Sequence, residues 1–265
     1  MLLVGAGRMG GALLEGWIRT GRPAGHLHVI EPRPSAAIRA SGVTCHAGPD
    51  ALPPEARFGA IVFAVKPDAL ARVLPDYAVL AGRTGTLCLS IAAGKTLDFL
   101  TRHLGADASV IRAMPNTPAA IGRGITALVA APGVTAAQKS LAEDLLRPAG
   151  RCLWLEDEGQ MDAVTAISGS GPAYVFLLTE CLAEAGIAEG LPAEIAQSLA
   201  RETVTGAAAL LAETDAAPAV LRRNVTSPGG TTEAALGVLA ASDGLGPLLA
   251  RAVAAAAGRS RDLAD

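Results

Sequence analysis

The stretch Val4-Gly5-Ala6-Gly7-Arg8-Met9-Gly10-Gly11, near the start of the chain, decides the fold prediction. Gly5, Gly7 and Gly10 have the spacing GxGxxG, with a short apolar run before them and an apolar helical pattern after them. In such a turn the first glycine permits the tight bend, the second lets a pyrophosphate approach the backbone, and the third lets helix pack on strand. The stretch therefore predicts a dinucleotide site at the start of a helix, where free amides favour phosphate.

The composition argues against a nucleic-acid-binding protein, a membrane protein and a disulfide-linked or metal-binding protein. The 265 residues are 51% hydrophobic but only 3% aromatic, which predicts a large core built from small aliphatic side chains. The formal net charge of −3 gives no basic field for nucleic acid, and no apolar run is long enough to cross a membrane. The four cysteines are far apart in apolar surroundings, which predicts buried free thiols rather than a disulfide framework or a metal site. With no basic leader before the first strand, we expect a cytoplasmic protein.

The first part of the chain alternates short apolar runs with helical stretches. This rhythm predicts a doubly wound sheet in a dinucleotide-binding domain over residues 1–156. The predicted strands after the opening one cover residues 27–31, 43–45, 60–65, 86–91, 109–114, 125–129 and 151–155.

The rhythm changes near residue 157, and no further strand is predicted. An all-helical domain over residues 157–265 is expected instead. Alanine and glycine occur on several helix faces there, so these helices must be buried on more than one side. They are predicted to pack against a second subunit; the alternative is a central helix inside one helical domain. The predicted helices cover residues 158–167, 172–186, 192–213, 218–223, 231–239 and 247–263.

Two side chains after the second predicted strand favour different cofactors, one NADH and the other NADPH. Glu31 lies about twenty residues beyond the last glycine of the turn, where an acid usually accepts hydrogen bonds from the adenosine ribose and repels a 2′-phosphate. Arg33 follows two residues later and could attract that phosphate. NADH and NADPH therefore both remain open. Lys66, at the end of the fourth predicted strand, is also placed to meet a cofactor, because ligands bind at the carboxyl ends of parallel strands.

Two glycine-rich stretches interrupt the predicted helices of the second half. They are Ser168–Tyr174 and Asn224–Thr232, and each leads into a helix that can offer free amides to an anion. The chain has no lysine and no histidine from residue 157 onward, so acid–base chemistry there is left to hydroxyls, backbone groups and water. This suits a substrate that is already electrophilic, such as a protonated imine, and a cofactor that supplies the main chemistry.

Together these stretches resemble those of the pyrroline-5-carboxylate reductases, along essentially the whole chain. The segments that carry the resemblance are Gly5 to Gly10, Ala64 to Pro67, Ser90 to Gly94, Arg112 to Pro118, Ser168 to Tyr174 and Val225 to Thr232. The resemblance implies an α/β fold, with an N-terminal Rossmann-type doubly wound sheet followed by an all-α dimerisation domain. It also implies a homodimer or a higher homo-oligomer such as a decamer. The implied reaction is hydride transfer from NADPH or NADH to the C5=N bond of 1-pyrroline-5-carboxylate, which gives L-proline.

The resemblance also implies roles for individual residues. Thr232 would bond the ring nitrogen of the substrate and deliver a proton, directly or through water. The implied substrate-binding residues are Ser168, Gly229, Gly230, Thr231 and Thr232. The residues expected at the cofactor, including the two after the second strand, are Gly5, Gly7, Arg8, Met9, Gly10, Glu31, Arg33, Ala64, Lys66, Pro67, Ala92 and Asn116.

Two alternatives are weighed against this interpretation. A β-hydroxyacid dehydrogenase-like oxidoreductase shares the two-domain layout, but that family places a catalytic lysine at the start of its helical domain and this chain has none there. A non-catalytic NAD(P)-sensing protein would not require the Ser227–Thr232 stretch, which is intact here. One departure from the reductase pattern is Glu31, because the family commonly uses NADPH.

Overall fold

The computed structural model of the protein describes residues 1–263. The chain forms two compact units. The first, here called the sheet unit, contains residues 1–170 and 256–263 of the described chain. The second, the helical unit, contains residues 171–255. The sequence predicts a domain boundary between residues 156 and 157. That boundary separates domains by function rather than by compactness, and it stays a prediction.

One eight-stranded sheet forms the centre of the sheet unit. Its order is β3-β2-β1-β4-β5-β6-β7-β8, which contains the 3-2-1-4-5-6 order of a dinucleotide-binding fold. The predicted doubly wound sheet is thereby confirmed. The strands are β1 (Leu2–Val4), β2 (His28–Ile30), β3 (Thr44–His46), β4 (Ala60–Phe63), β5 (Leu87–Ser90), β6 (Ser109–Met114), β7 (Gly124–Ala130) and β8 (Gly150–Trp154).

The strands pair in parallel except at one place. β7 runs antiparallel to β6, with Arg112 opposite Val129, and β8 again pairs in parallel with β7. The connection between β6 and β7 holds only a 3₁₀ turn over Thr117–Ile121. A parallel crossover requires a dozen residues or more, so this short connection enforces the reversal.

Helices cover both faces of the sheet. The helices of the sheet unit before residue 170 are α1 (Arg8–Arg19), α2 (Ala36–Ala40), α3 (Pro67–Val73), α4 (Ala78–Ala81), α5 (Leu97–Leu104), α6 (Ala136–Leu146) and α7 (Met161–Val164). Alternate strand residues pack to opposite sides, because side chains alternate along a strand. Leu3 and Val62 pack with Trp17 of α1, whereas Leu2 and Ile61 belong to the core on the other face.

The remaining helices begin after a π-helical turn over Thr165–Gly169. They are α8 (Gly171–Ala188), α9 (Ala193–Ala212), α10 (Pro218–Asn224), α11 (Thr231–Leu239) and α12 (Leu245–Asp262). The described residues 158–263 contain no strand, as predicted from the sequence.

The cysteine prediction is only partly right. All four cysteines are free, but Cys45 and Cys181 are exposed in the single chain, and Cys152 is partly buried. Cys88 lies in β5, where burial raises the pKa of its thiol to about 12, so this thiol stays protonated and unreactive. Within residues 1–263, no helix is both long and apolar enough to cross a membrane.

Candidate functional site

The glycine turn between β1 and α1 is held by backbone bonds and close packing. Gly5 has a φ of +89°, and its N–H donates to the carbonyl of Ile30 at 2.9 Å. A Cβ atom on Gly10 would lie 2.3 Å from the carbonyl oxygen of Gly5 and 2.9 Å from the Cβ of Ala64. The first and third glycines are therefore required by the turn and by the packing of α1, as the fingerprint predicts.

The second glycine of the turn has a different environment. Gly7 is exposed, and a Cβ atom placed on it would meet no atom within 4 Å. Gly7 is the residue before α1, and neither a side-chain cap nor an acidic residue occupies the first turn of that helix. No contact within the described chain explains a glycine here, whereas the close approach of a pyrophosphate does. The turn thus fits a dinucleotide, with Gly7 and Arg8 exposed at the helix start.

The end of β2 brings Glu31 to this turn. One carboxylate oxygen of Glu31, Oε2, accepts a hydrogen bond from the N–H of Ala6 at 3.0 Å. The other, Oε1, accepts from the N–H of Arg33 at 3.2 Å. Arg33 itself is exposed. The structure therefore places the acid predicted for the ribose directly beside the predicted phosphate-binding turn.

Other predicted cofactor residues follow neighbouring strands. Ala64 comes directly after β4, and its N–H donates to the carbonyl of Val4 at 2.8 Å. Lys66 is exposed and precedes α3, which Pro67 starts. Ala92 is buried after β5. Because β1, β4 and β5 are adjacent and parallel, their carboxyl ends lie along one edge of the sheet, where ligands of open α/β sheets bind.

Asn116, after β6, has a structural partner that the sequence did not indicate. Its Oδ1 accepts a hydrogen bond from the N–H of Ile125 at 3.0 Å, which joins the loop after β6 to the start of β7. The side-chain amide nitrogen is the group that remains for a ligand. The role of Asn116 at the cofactor stays a prediction.

A cavity of about 360 Å³ lies beside this edge of the sheet unit. Its lining includes the cofactor candidate Pro67 and residues of the loop after β5. Ala93, Gly94, Thr165 and Ser170 also line it. The charged residues Asp68, Lys95 and Arg259 also border this open space, which lies close to the predicted cofactor edge.

Ser168 lies in the π-helical turn rather than in a loop, which corrects the expectation of a free helix start there. Its hydroxyl donates to the carbonyl of Val164 at 3.0 Å, and the N–H of Ser170 donates to the carbonyl of Thr165 at 2.9 Å. The Ser170 amide therefore has an acceptor within the turn, because a π-helical turn accommodates an extra residue without ending the helix. The oxygen of Ser168 keeps its capacity to accept a hydrogen bond.

A partly buried ion pair near these loops could not be identified from the sequence alone. Arg112 of β6 is only 4% exposed, and its guanidinium donates to Oε1 of Glu158 at 2.6 Å. The same oxygen accepts from the N–H of Leu97 at 2.8 Å. This pair joins β6, the start of α5 and the segment that leads to Ser168. The available signal was a lone arginine within an otherwise apolar strand.

The second glycine-rich turn lies in the helical unit, before α11. Gly229 has a φ of +70°, and its N–H donates to Oε2 of Glu233 at 2.7 Å. Gly230 precedes the helix, and its N–H donates to the carbonyl of Ser227 at 3.0 Å. Among the described residues no side chain caps α11, so the amides of its first turn face a ligand or water. Thr231 is exposed and Thr232 partly buried, both at this helix start.

The sequence of the helical half matches a known domain family. Residues 158–263 match the family model described as pyrroline-5-carboxylate reductase dimerisation. Along 99% of its length the chain is 40% identical to the pyrroline-5-carboxylate reductase of Pseudomonas aeruginosa, of which it covers 96%.

The chain belongs to the pyrroline-5-carboxylate reductase family. Solved structures agree. The reductase of Coxiella burnetii superimposes with a TM-score of 0.93 at 34% identity, over 100% of this chain and 98% of that one. The Plasmodium falciparum pyrroline carboxylate reductase with NADP bound gives a TM-score of 0.84 at 28% identity, over 100% and 97% of the two chains.

Membership of the pyrroline-5-carboxylate reductase family confirms several predictions. It makes the chain an oxidoreductase with a nicotinamide dinucleotide cofactor, and it identifies the helical half as a dimerisation domain. It favours the reductase over both alternatives, the β-hydroxyacid dehydrogenase-like enzyme and the non-catalytic NAD(P)-sensing protein. The roles of single residues at the cofactor and the substrate stay predictions.

Proposed function

We propose that the protein reduces 1-pyrroline-5-carboxylate to L-proline with NADPH or NADH. The observation that carries this proposal is the 40% identity to a pyrroline-5-carboxylate reductase over almost the whole chain, with both glycine-rich helix starts intact. The reaction adds a hydride to C5 and a proton to the ring nitrogen, so the C=N bond becomes a single bond. When bound, the reduced nicotinamide supplies the hydride.

The sheet unit holds the cofactor in this proposal. Gly7 leaves room for the pyrophosphate, and the amides at the start of α1 donate to it, together with the neighbouring Arg8. The parallel-strand ends position the rest of the dinucleotide. The residues assigned to this task are Gly5, Gly7, Arg8, Met9, Gly10, Glu31, Arg33, Ala64, Lys66, Pro67, Ala92 and Asn116.

The helical unit holds the carboxylate of the substrate. The uncapped start of α11 offers amides at the positive end of a helix, which favours an anion. Gly229, with its positive φ, turns the chain into this helix start. Gly229, Gly230 and Thr231 are assigned to the carboxylate. In this assignment the substrate replaces the Glu233 carboxylate and the Ser227 carbonyl as acceptors of the Gly229 and Gly230 N–H groups. Ser168 of the sheet unit is assigned to substrate binding through its hydroxyl oxygen.

Thr232 is assigned to the proton. No lysine or histidine occurs from residue 157 onward, so this half of the chain has neither an ammonium nor an imidazole to donate. The Thr232 hydroxyl bonds the ring nitrogen and passes a proton to it, directly or through a water molecule, and regains a proton from solvent water.

The active form is a homodimer, extended to a higher homo-oligomer such as a decamer, and it acts on a small molecule in the cytoplasm, without nucleic acid or a membrane. Two observations support the dimer. The helical half matches a dimerisation model, and the single chain exposes Phe176 and Leu177 of α8 to 67% and 57%. Apolar exposure of this kind marks a protein interface.

The experiment measures loss of reduced-nicotinamide absorbance on adding pyrroline-5-carboxylate, with NADPH and with NADH, and identifies L-proline as product. Replacement of Thr232 by Ala is expected to lower kcat/KM about a hundredfold while the Kd of the cofactor stays unchanged. Thr232→Ser, which keeps the hydroxyl, is expected to retain most activity. Absence of oxidation with either cofactor would refute the function, and an unchanged kcat/KM in Thr232→Ala would remove Thr232 from the mechanism.

A further inference from the structure

The choice between NADH and NADPH depends on the end of β2. The two cofactors differ only in a phosphate on the 2′-hydroxyl of the adenosine ribose. In dinucleotide-binding folds an acid after the second strand accepts hydrogen bonds from the ribose hydroxyls, whereas an arginine nearby accommodates the phosphate. This chain carries one of each, Glu31 and Arg33.

The backbone fixes the position of Glu31. Its N–H donates to the carbonyl of His46 at 3.1 Å, so the residue continues the pairing of β2 with β3. The carboxylate accepts one hydrogen bond from the Ala6 N–H and one from the Arg33 N–H. Turning the carboxylate away would break both hydrogen bonds, of which the one from the Ala6 N–H is partly buried and the one from the Arg33 N–H is exposed to solvent. These two bonds place the negative charge beside the glycine turn.

Arg33 is placed differently. Its backbone N–H holds Glu31, but in residues 1–263 its guanidinium makes no hydrogen bond or ion pair, and the side chain is exposed. An arginine must lose side-chain entropy to grip a phosphate, and a phosphate held there would still lie near a carboxylate two residues away. At the end of β2, therefore, the hydrogen-bonded carboxylate of Glu31 disfavours a 2′-phosphate, whereas the exposed guanidinium of Arg33 can attract one.

We propose that Glu31 makes this protein select NADH over NADPH. The inference rests on the proposed function, because it requires that the sheet unit bind a nicotinamide dinucleotide. The carboxylate keeps two lone pairs on each oxygen, one used by a backbone amide and one available to a ribose hydroxyl. Towards a 2′-phosphate the same carboxylate presents a like charge.

The test measures binding rather than turnover. Isothermal titration calorimetry on the full-length protein gives the Kd of ADP-ribose and of its 2′-phosphorylated form, which differ only in the deciding phosphate. The wild type is expected to bind ADP-ribose at least about tenfold more tightly. Glu31→Gln keeps the size of the side chain but removes its charge, and is expected to shift the ratio of the two Kd values about tenfold toward the phosphorylated ligand.

A second variant removes a negative charge elsewhere in the sheet unit, so that a general effect of charge can be told apart from an effect of position 31. Glu55 is an exposed acid of the sheet unit, and Glu55→Gln is expected to leave both Kd values unchanged. Tighter binding of the phosphorylated ligand by the wild type, or the same ratio in Glu31→Gln, would overturn the role of Glu31 and leave the proposed reaction standing. Binding of neither ligand would overturn the dinucleotide site on which both proposals depend.

Discussion

The two glycine-rich helix starts of this chain differ in what holds them. The turn before α1 is enclosed by its own unit: a Cβ atom on Gly10 would lie 2.3 Å from a backbone oxygen, and Gly5 bonds to the end of β2. The turn before α11 is open. A Cβ atom on Gly229 would meet nothing within 4 Å, and this glycine is required only by its φ of +70°.

The two turns differ because the two units differ in how completely they bury their own apolar side chains. In the sheet unit the turn is part of a core that the unit completes alone, with Trp17 of α1 fully buried. The helical unit instead leaves large apolar side chains uncovered in the single chain. Among them are Val175, Phe176, Leu177, Leu178, Leu199 and Leu210. The first turn is thus fixed by its own fold, whereas the second belongs to a unit with exposed apolar faces of the kind that a protein interface covers.

The largest expected effect is on assembly. Replacement of Phe176 in α8 by Glu places a charge in the apolar face that the proposed dimer covers, and is expected to raise the dissociation constant of the oligomer at least about a hundredfold. Val79 of α4 is the matched control, because it is 77% exposed but belongs to the sheet unit, and Val79→Glu is expected to leave assembly unchanged. Sedimentation velocity measures both. An intact oligomer in Phe176→Glu would show that this face is not the contact.

The next effect separates two glycines of the enclosed turn. Gly10→Ala forces a Cβ atom against the carbonyl of Gly5 and is expected to lower the free energy of unfolding by about 3 kcal/mol. Gly7→Ala has space for its methyl group, so its stability is expected to match the wild type while the Kd of ADP-ribose rises. Urea unfolding and calorimetry give the two quantities. Equal destabilisation by both variants would contradict the assignment of Gly7 to a ligand.

A smaller effect is expected at the open turn. Gly229→Ala imposes a left-handed backbone on an L-residue at a cost of about 1 kcal/mol, which disfavours the substrate-binding arrangement and raises KM for pyrroline-5-carboxylate about fivefold. Gly190 has a comparable φ of +95° and the same open surroundings, between α8 and α9. Gly190→Ala is therefore expected to lose similar stability without a change in KM. A raised KM in both variants would point to a general loss of stability.

A feature of this chain could be predicted from the sequence when the residues that form it are close together in the sequence. The turn before α1 was predictable because glycine spacing, strand and helix lie within one short segment. The Arg112–Glu158 pair was not, because its partners are far apart in sequence and meet only when β6 and the segment after β8 come together. The free helix start predicted at Ser168 was wrong for a related reason: nothing in its glycines and serines distinguishes a loop from a π-helical turn.

The reversal of β7 was also beyond a strand-by-strand interpretation. Its apolar pattern resembles that of the parallel strands before it, and only the length of the connection after β6 decides the direction. Glu31 shows the opposite case. Its place after β2 was predicted from spacing alone, whereas the two amides that fix its carboxylate became visible only in the structure.

The smallest expected effect concerns the outer strands of the sheet unit, at the end of β2 away from Glu31. His28 Nδ1 lies 3.0 Å from Nε2 of His46 on β3, so one ring donates and the other accepts, and at least one must be neutral. Burial, followed by the nearby His46 and the N-terminal amine of Met1, lowers the pKa of His28. Water screens this partly exposed pair, so its contribution to stability is expected to be below about 1 kcal/mol.

The sign of this effect follows from proton binding. Because the folded pKa of His28 is below the unfolded value, the unfolded state binds more protons as the pH falls through the ordinary histidine range, and the folded state loses stability there. Urea unfolding between about pH 7 and about pH 5 measures the slope. His28→Gln is expected to flatten it. An equally steep slope in His28→Gln would assign the pH dependence to other groups.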